Sequence, residues 1–382
     1  MPEQIPINAT LLTWARERAG WTLSDAKAKY HKFAEWENGS SFPTYIQLES
    51  LADDLKIPVA VFFFPVPPAL PPITETFRTL PSSEVAKLPK GLRMLLRQGK
   101  AMQLNLMEMT GGVNPSPKLI TRDLQLDANE GVTDMAQRVR LHLGVSLDEQ
   151  RSWRSTDEAL KKWRDSFLSS GIYIFKEAFR LEQYFGFCLY DDLFPIIYLN
   201  NSSSKTRQIF TCFHELAHLL FHTSGIDFFE DEYLSFLRSS DQAIEVACNR
   251  FAAEFLLPDF ELTKMLQSRQ PSETTAEIIA QEFNVSREVV FRRFLDKGLI
   301  SEKTYQEAAM RWNDQRTSAT KASESSGNYY NTKLAYLGRE YVSLALRQYH
   351  QNKIDEEKLA LFLVTKPKNV PTLEEYFLKG GQ

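Results

Sequence analysis

Apolar residues recur at helical spacing through most of the chain and alternate in one region only. Residues 8–64 hold helix-patterned stretches, NATLLTWARERAG, YHKFAEWENG and TYIQLESLADDLKIPVAVFFF, each with one apolar face. Gly39 suits the residue that closes a helix, and Pro43 suits the start of the next. Residues 65–72, PVPPALPP, predict a stiff extended linker. Helices are predicted over 82–109, 134–143 and 156–169. Residues 171–175 (GIYIF) and 185–199 (FGFCLYDDLFPIIYL) alternate and are rich in β-branched and aromatic side chains, so they read as strands. The helical period returns at 206–222, after the polar loop 200–205, and again at 241–258. Residues 279–301 look like a helix-turn-helix pair, and 317–326 (TSATKASESS) predict a polar linker. From residue 327 onward the pattern predicts a long helix. It is dense in tyrosine (Tyr329, Tyr330, Tyr336, Tyr341, Tyr349), which is more typical of core than of a binding surface.

Strands followed by a helix in the middle of the chain predict an α+β fold, mostly helical, with a short sheet in a small core. The divisions are 1–64, a helix-turn-helix-like domain; 65–115, a Pro-rich linker and helix; 116–265, the core; 266–316, a second helix-turn-helix-like subdomain; 317–326, a linker; and 327–382, a C-terminal helical segment.

At 382 residues and 44.0 kDa there is room for two or three domains. With no run of 18 apolar residues, and no basic and apolar leader at the start, the chain is expected to be soluble and cytoplasmic. Three widely spaced cysteines, Cys188, Cys212 and Cys248, predict buried thiols rather than disulfides. Residues 1–70 carry six basic and eight acidic side chains, a net of −2, which weakens a phosphate-binding role for that segment. Within it, Lys27, Lys29 and Lys32, with Tyr30 and His31, form a local basic cluster that is the candidate DNA contact.

The most specific chemistry lies in residues 211–222, TCFHELAHLLFH. His214, Glu215 and His218 spell His-Glu-x-x-His, and three of the chain's six histidines fall within nine positions. On a helix, residues i and i+4 share a face, so both imidazoles can reach one metal ion, while Glu215 lies about 100° round, beside a metal-bound water. Zinc hydrolase sites take three protein ligands and leave one position open. Residues 241–258, DQAIEVACNRFAAEFLLP, offer Glu245 and Glu254. Ile244, Ala247, Cys248, Phe251, Ala252 and Phe255 mark a core-facing stripe, and Glu245 sits beside it, 27 residues after His218. Glu254 is 2.5 turns further on and faces nearly the other way, so Glu245 is favoured. His222 continues the face, but about 12 Å of helix separates it from His214, so a structural or outer role is expected.

HELAHLLFH followed by E-x-x-C-N-R-F-A-A-E-F-L-L-P resembles the ImmA/IrrE family of metallopeptidases. That family's second motif usually has Ala where Cys248 stands and Met where Leu257 stands; neither departure removes a ligand. The resemblance implies a zincin-like core, metal ligands His214, His218 and Glu245, and Glu215 as the catalytic residue. It also implies cleavage of transcriptional repressors of the Cro/cI type. Trp36-Glu37-Asn38-Gly39 with Pro43-Thr44 resembles a Cro/cI-type helix-turn-helix, about one turn short between Gly20 and Trp36, and GNYYNTKL (327–334) is similar to a C-terminal segment of longer members.

The leading expectation is therefore an intracellular zinc-dependent endopeptidase that cuts a repressor protein, with Mn2+ or Fe2+ as other ions for a two-histidine, one-carboxylate site. A strand at the sheet edge is expected to bind substrate by strand addition. The alternative is a DNA-binding regulator or antitoxin-like binding protein with a non-catalytic metal site. An intact Glu215 argues against it, since a structural site has no use for a general base.

Overall fold

The computed structural model describes residues 4–55, 57, 59–67, 88–127, 130–181, 183–228, 239–322 and 327–380. These fall into two compact units, the first comprising residues up to 67 together with 88–98, the second residues 99–380.

The first unit contains α1 (Ala9–Arg18), α2 (Leu23–Lys29), α3 (Phe33–Glu37) and α4 (Tyr45–Leu55), then a short 3-10 turn over Val59–Phe63. Asn8 caps α1, and a reciprocal Thr22–Asp25 box caps α2. Leu12, Ala15, Phe33, Trp36, Leu48, Leu51 and Phe62 form its core. The helical stretch expected before Gly39 is divided: Tyr30 is extended (φ −129°), and α3 keeps only five residues. Phe33 and Trp36 both point into the core, and Gly39 turns the chain at φ 74°, so neither end of α3 can grow.

Helix α5 (Lys90–Thr110) begins immediately after Pro89. The predicted start at residue 82 and much of the Pro-rich stretch lie outside the described residues. Helices α6 (Val132–Leu143) and α7 (Thr156–Ser169) follow, within a residue or two of their predicted spans. The region read as strands gives β1 (Tyr173–Glu177), β2 (Tyr184–Leu189) and β3 (Ile196–Asn200). A fourth strand, β4 (Ile226–Phe228), is too short for any periodicity to signal. The sheet order is β1-β3-β2-β4, with β1 parallel to β3 and the other pairings antiparallel.

Both faces of this sheet are covered. Ile174, Cys188, Ile197 and Leu199 join the main core with α8 (Lys205–Leu220), which carries residues 214–218, and with α9 (Ser239–Leu256). On the other face Phe175, Tyr198 and Phe187 stack in a row. Helix α9 packs on α8 and α6. Further helices follow: α10 (Asp259–Leu266), α11 (Glu273–Phe283), α12 (Arg287–Asp296) and α13 (Glu302–Ala322), with α12 packed between α11 and α13.

Two expectations are corrected here. Residues 317–322, expected as a linker, continue α13: no Gly or Pro falls between Leu299 and Gly327, and Ala319, Lys321 and Ala322 favour helix. Residues 323–326 lie outside the described residues. The single long C-terminal helix is instead α14 (Tyr329–Leu337), α15 (Arg339–His350), α16 (Glu356–Phe362) and α17 (Val370–Leu378). Gly338 (φ 85°) makes the first break. This segment is no detached tail. The Tyr341 ring meets Phe175 edge-on at 5.1 Å, and its hydroxyl donates to Phe362 O at 3.0 Å and accepts from Asn105 at 3.1 Å.

The arginines of 279–301 are engaged structurally. Arg293 bonds Glu254 and Asp259, Arg292 bonds Asp296, and Arg287 bonds Gln315 and lies over Trp312. No helix among the described residues is long and apolar enough to cross a membrane.

Candidate metal centre

Helix α8 starts at Ser204, whose hydroxyl accepts the Arg207 N–H, and from Thr211 to Leu220 every residue is buried. Burial on all sides makes this the central helix of the unit. One turn apart on it, His214 and His218 bring their Nε2 atoms to 3.2 Å. The carboxylate of Glu245, on α9, reaches both: Oε2 is 3.4 Å from His214 Nε2, and Oε1 is 3.2 Å from His218 Nε2. Asn249, one turn beyond Glu245, meets His214 Nδ1 at 3.1 Å. Moving from 214 to 218 on α8 thus means moving back from 249 to 245 on α9, so the two helices run antiparallel.

The donor set is the one a divalent transition metal takes. One ligand atom from each of His214, His218 and Glu245 lies within 4.8 Å of the others, and all three are nitrogen or carboxylate oxygen. Glu215 stands apart from this group. It is fully buried, and among the described residues neither carboxylate oxygen has a hydrogen-bond partner of good geometry. The Cys188 thiol lies beside it without making a well-formed bond. A buried acid left unpaired by the protein is the signature of a group whose partner is not protein, and a water at the cation is such a partner.

Electrostatics follow from this packing. Burial pushes the Glu215 carboxyl up to about 8, against the pull of the His218 charge. Burial would raise Glu245 too, but the His218 charge and the hydrogen bonds from both imidazoles hold it well below the usual carboxylate range. Burial would lower His214, and the Glu245 bond with the Asp227 charge turns it upward instead.

The surrounding walls are close. A Cβ on Gly225 would sit 2.5 Å from His218 Cδ2, so only glycine admits that ring. Asp227, on β4, accepts from Arg207 at 2.6 Å and from Thr211 Oγ1 at 2.7 Å, which ties the edge strand to α8. Gly225, Asp227 and Cys188 carry no spacing signal, because each meets the site through tertiary approach, whereas Asn249 lies one helical turn from Glu245.

Glu254 takes no part. It is buried among Arg293 (2.9 Å), Thr133 (3.2 Å) and the Asp259 N–H (3.2 Å). His222 is also outside the cluster, its Nε2 3.2 Å from Thr121 O and its ring 5.0 Å from that of Tyr190. In the first unit, Lys27 and Lys32 are exposed, while Lys29 bonds Asp54 at 2.6 Å.

Residues 168–295 match the family model Peptidase_M78, the IrrE N-terminal-like domain. The segment is thus similar to metallopeptidase domains of the ImmA/IrrE kind. It runs from the end of α7 through most of α12 and contains all four of His214, Glu215, His218 and Glu245. No curated protein matches the chain.

Proposed function

We propose that the chain is an intracellular zinc-dependent endopeptidase that cuts a repressor protein and so releases gene expression. The observation that carries this is the convergence of His214 Nε2, His218 Nε2 and Glu245, with the Glu215 carboxylate buried and unpaired beside them. His214, His218 and Glu245 would hold the ion. When bound, it supplies Lewis acidity toward a water and a peptide carbonyl. Mn2+ and Fe2+ suit the same donors.

Glu215 moves the protons. An ionised Oε takes one from the attacking water and later returns it to the leaving amine. Strand β4 supports substrate binding: it lies at the sheet edge, and among the described residues only β2 pairs with it. An extended peptide can therefore bond to its free backbone edge. The first unit, with a helix pair α2–α3, is proposed as a helix-turn-helix-like module. With Lys29 bonded to Asp54 and a net acidic composition, docking of the repressor fits it better than DNA, for which Lys27, Lys29 and Lys32 remain the contacts.

Glu215→Gln tests the reading. Purified with Zn2+, the variant is expected to keep its metal, to lose at least about 10^3-fold in cleavage rate, and to co-purify with uncut repressor. If it still relieves repression like the unmodified chain, the protein acts by binding, and the endopeptidase reading fails.

A further inference from the structure

Two contacts on the outer side of the histidine pair decide which ring nitrogens face inward. We infer that Asn249 and Thr223 are positioning residues that lock His214 and His218 as Nδ1–H tautomers, and that His222 sets Thr223 in place. This rests on the metal-site reading above.

A neutral imidazole has one N–H and one lone pair, and its hydrogen-bond partner selects which nitrogen carries the proton. Asn249 presents Oδ1, an acceptor, to His214 Nδ1 at 3.1 Å, so the proton resides on Nδ1. Thr223 Oγ1 lies 3.4 Å from His218 Nδ1 and donates its own proton to His218 O at 3.1 Å. With that proton committed, the hydroxyl turns lone pairs to the ring, and His218 too is an Nδ1–H tautomer. Both Nε2 lone pairs then point inward, 3.2 Å apart and within 3.4 Å of a carboxylate. In the metal-free protein, protons shared with Glu245 occupy that point; a divalent cation takes their place.

The backbone explains how Thr223 gets there. Helix α8 ends at Leu220, and His222 adopts φ 57°, a conformation that disfavours a side chain with Cβ by about 1 kcal/mol. Its ring is held against that tendency by Thr121 O and Tyr190. The turn brings the Thr223 N–H onto His218 O at 2.9 Å, and its hydroxyl arrives under the ring. Asn249 lies on the exposed side of α9, where asparagine does nothing for helix stability. Its place one turn after Glu245 lets a single helix supply a ligand and the outer hold on another.

The test is Zn2+ affinity by competition with a chromophoric chelator, read alongside 15N resonances of the imidazoles. Asn249→Ala and Thr223→Val are expected to weaken binding by about 10- to 100-fold. Asn249→Asp and Thr223→Ser, which keep the acceptors, are expected to restore it. In the unmodified protein with Zn2+, both rings are expected to show protonated Nδ1. If Thr223→Val does not fold, the Asn249 pair decides alone. Affinity within twofold of the unmodified chain for Asn249→Ala, while Glu245→Gln loses the ion, overturns the inference and leaves the proposed function standing. Failure of the unmodified protein to bind Zn2+ overturns both.

Discussion

Two carboxylates on one helix, nine residues apart, have opposite fates. Glu254, at the C-terminal end of α9, is buried and fully answered by the protein, with Arg293, Thr133 and the Asp259 N–H around it. Glu245, nearer the other end, meets the imidazoles of His214 and His218. Both positions are charged groups beside an apolar stripe, and burial alone does not tell them apart. The partners do: a carboxylate closed off by an arginine is architecture, and one shared by two imidazoles offers a cation its three donors.

That contrast can be broken by paired substitutions. Glu245→Gln is expected to abolish stoichiometric metal binding, measured by elemental analysis. Glu254→Gln is expected to do the reverse. It leaves the buried Arg293 with only the half-exposed Asp259 as counter-ion, which destabilises by about 2 kcal/mol in denaturant titration, with the ion still bound. Should both variants lose metal equally, the division between architecture and site is wrong.

The next effect is a pH dependence confined to the metal end. With its carboxyl raised to about 8 by burial, Glu215 binds a proton more tightly in the folded than in the unfolded chain. Its contribution to stability is complete below about pH 4.5 and is lost as pH rises through about 8. Metal-free protein is therefore expected to lose stability with pH across that window, by up to about 1.4 kcal/mol per pH unit. Glu215→Gln should flatten the slope; an unchanged slope would mean that another group is responsible. The smallest change concerns Gly225. In Gly225→Ala the new methyl meets the His218 ring, and about 1 kcal/mol of stability is expected to go, with weaker Zn2+ binding in the competition assay. A Gly186→Ala control meets Thr211 and Tyr198 O instead and is expected to spare the metal.

What the chain reveals before folding follows the same line. His214, His218 and Glu245 were legible because one helical repeat places the first two, and an apolar stripe orients the third. The strands were legible as alternation, and Glu254 could be set aside by its angle. The outer contacts were not. Thr223 and Gly225 come from the turn after α8 and Cys188 from β2, with no local period connecting them, and Asn249 stood only as the residue one turn past Glu245. Polar composition also misled at 317–322, where serine and threonine among alanines suggested a linker, although nothing there breaks a helix.

The row of rings on the far side of the sheet has a practical bearing on any attempt to trim this chain. Tyr341 stands against Phe175, so ending the chain at residue 326 would uncover Phe175 on β1. Such a fragment would present an apolar surface to solvent and lose the backing of the strands beside α8. Expression designs should keep everything through α17.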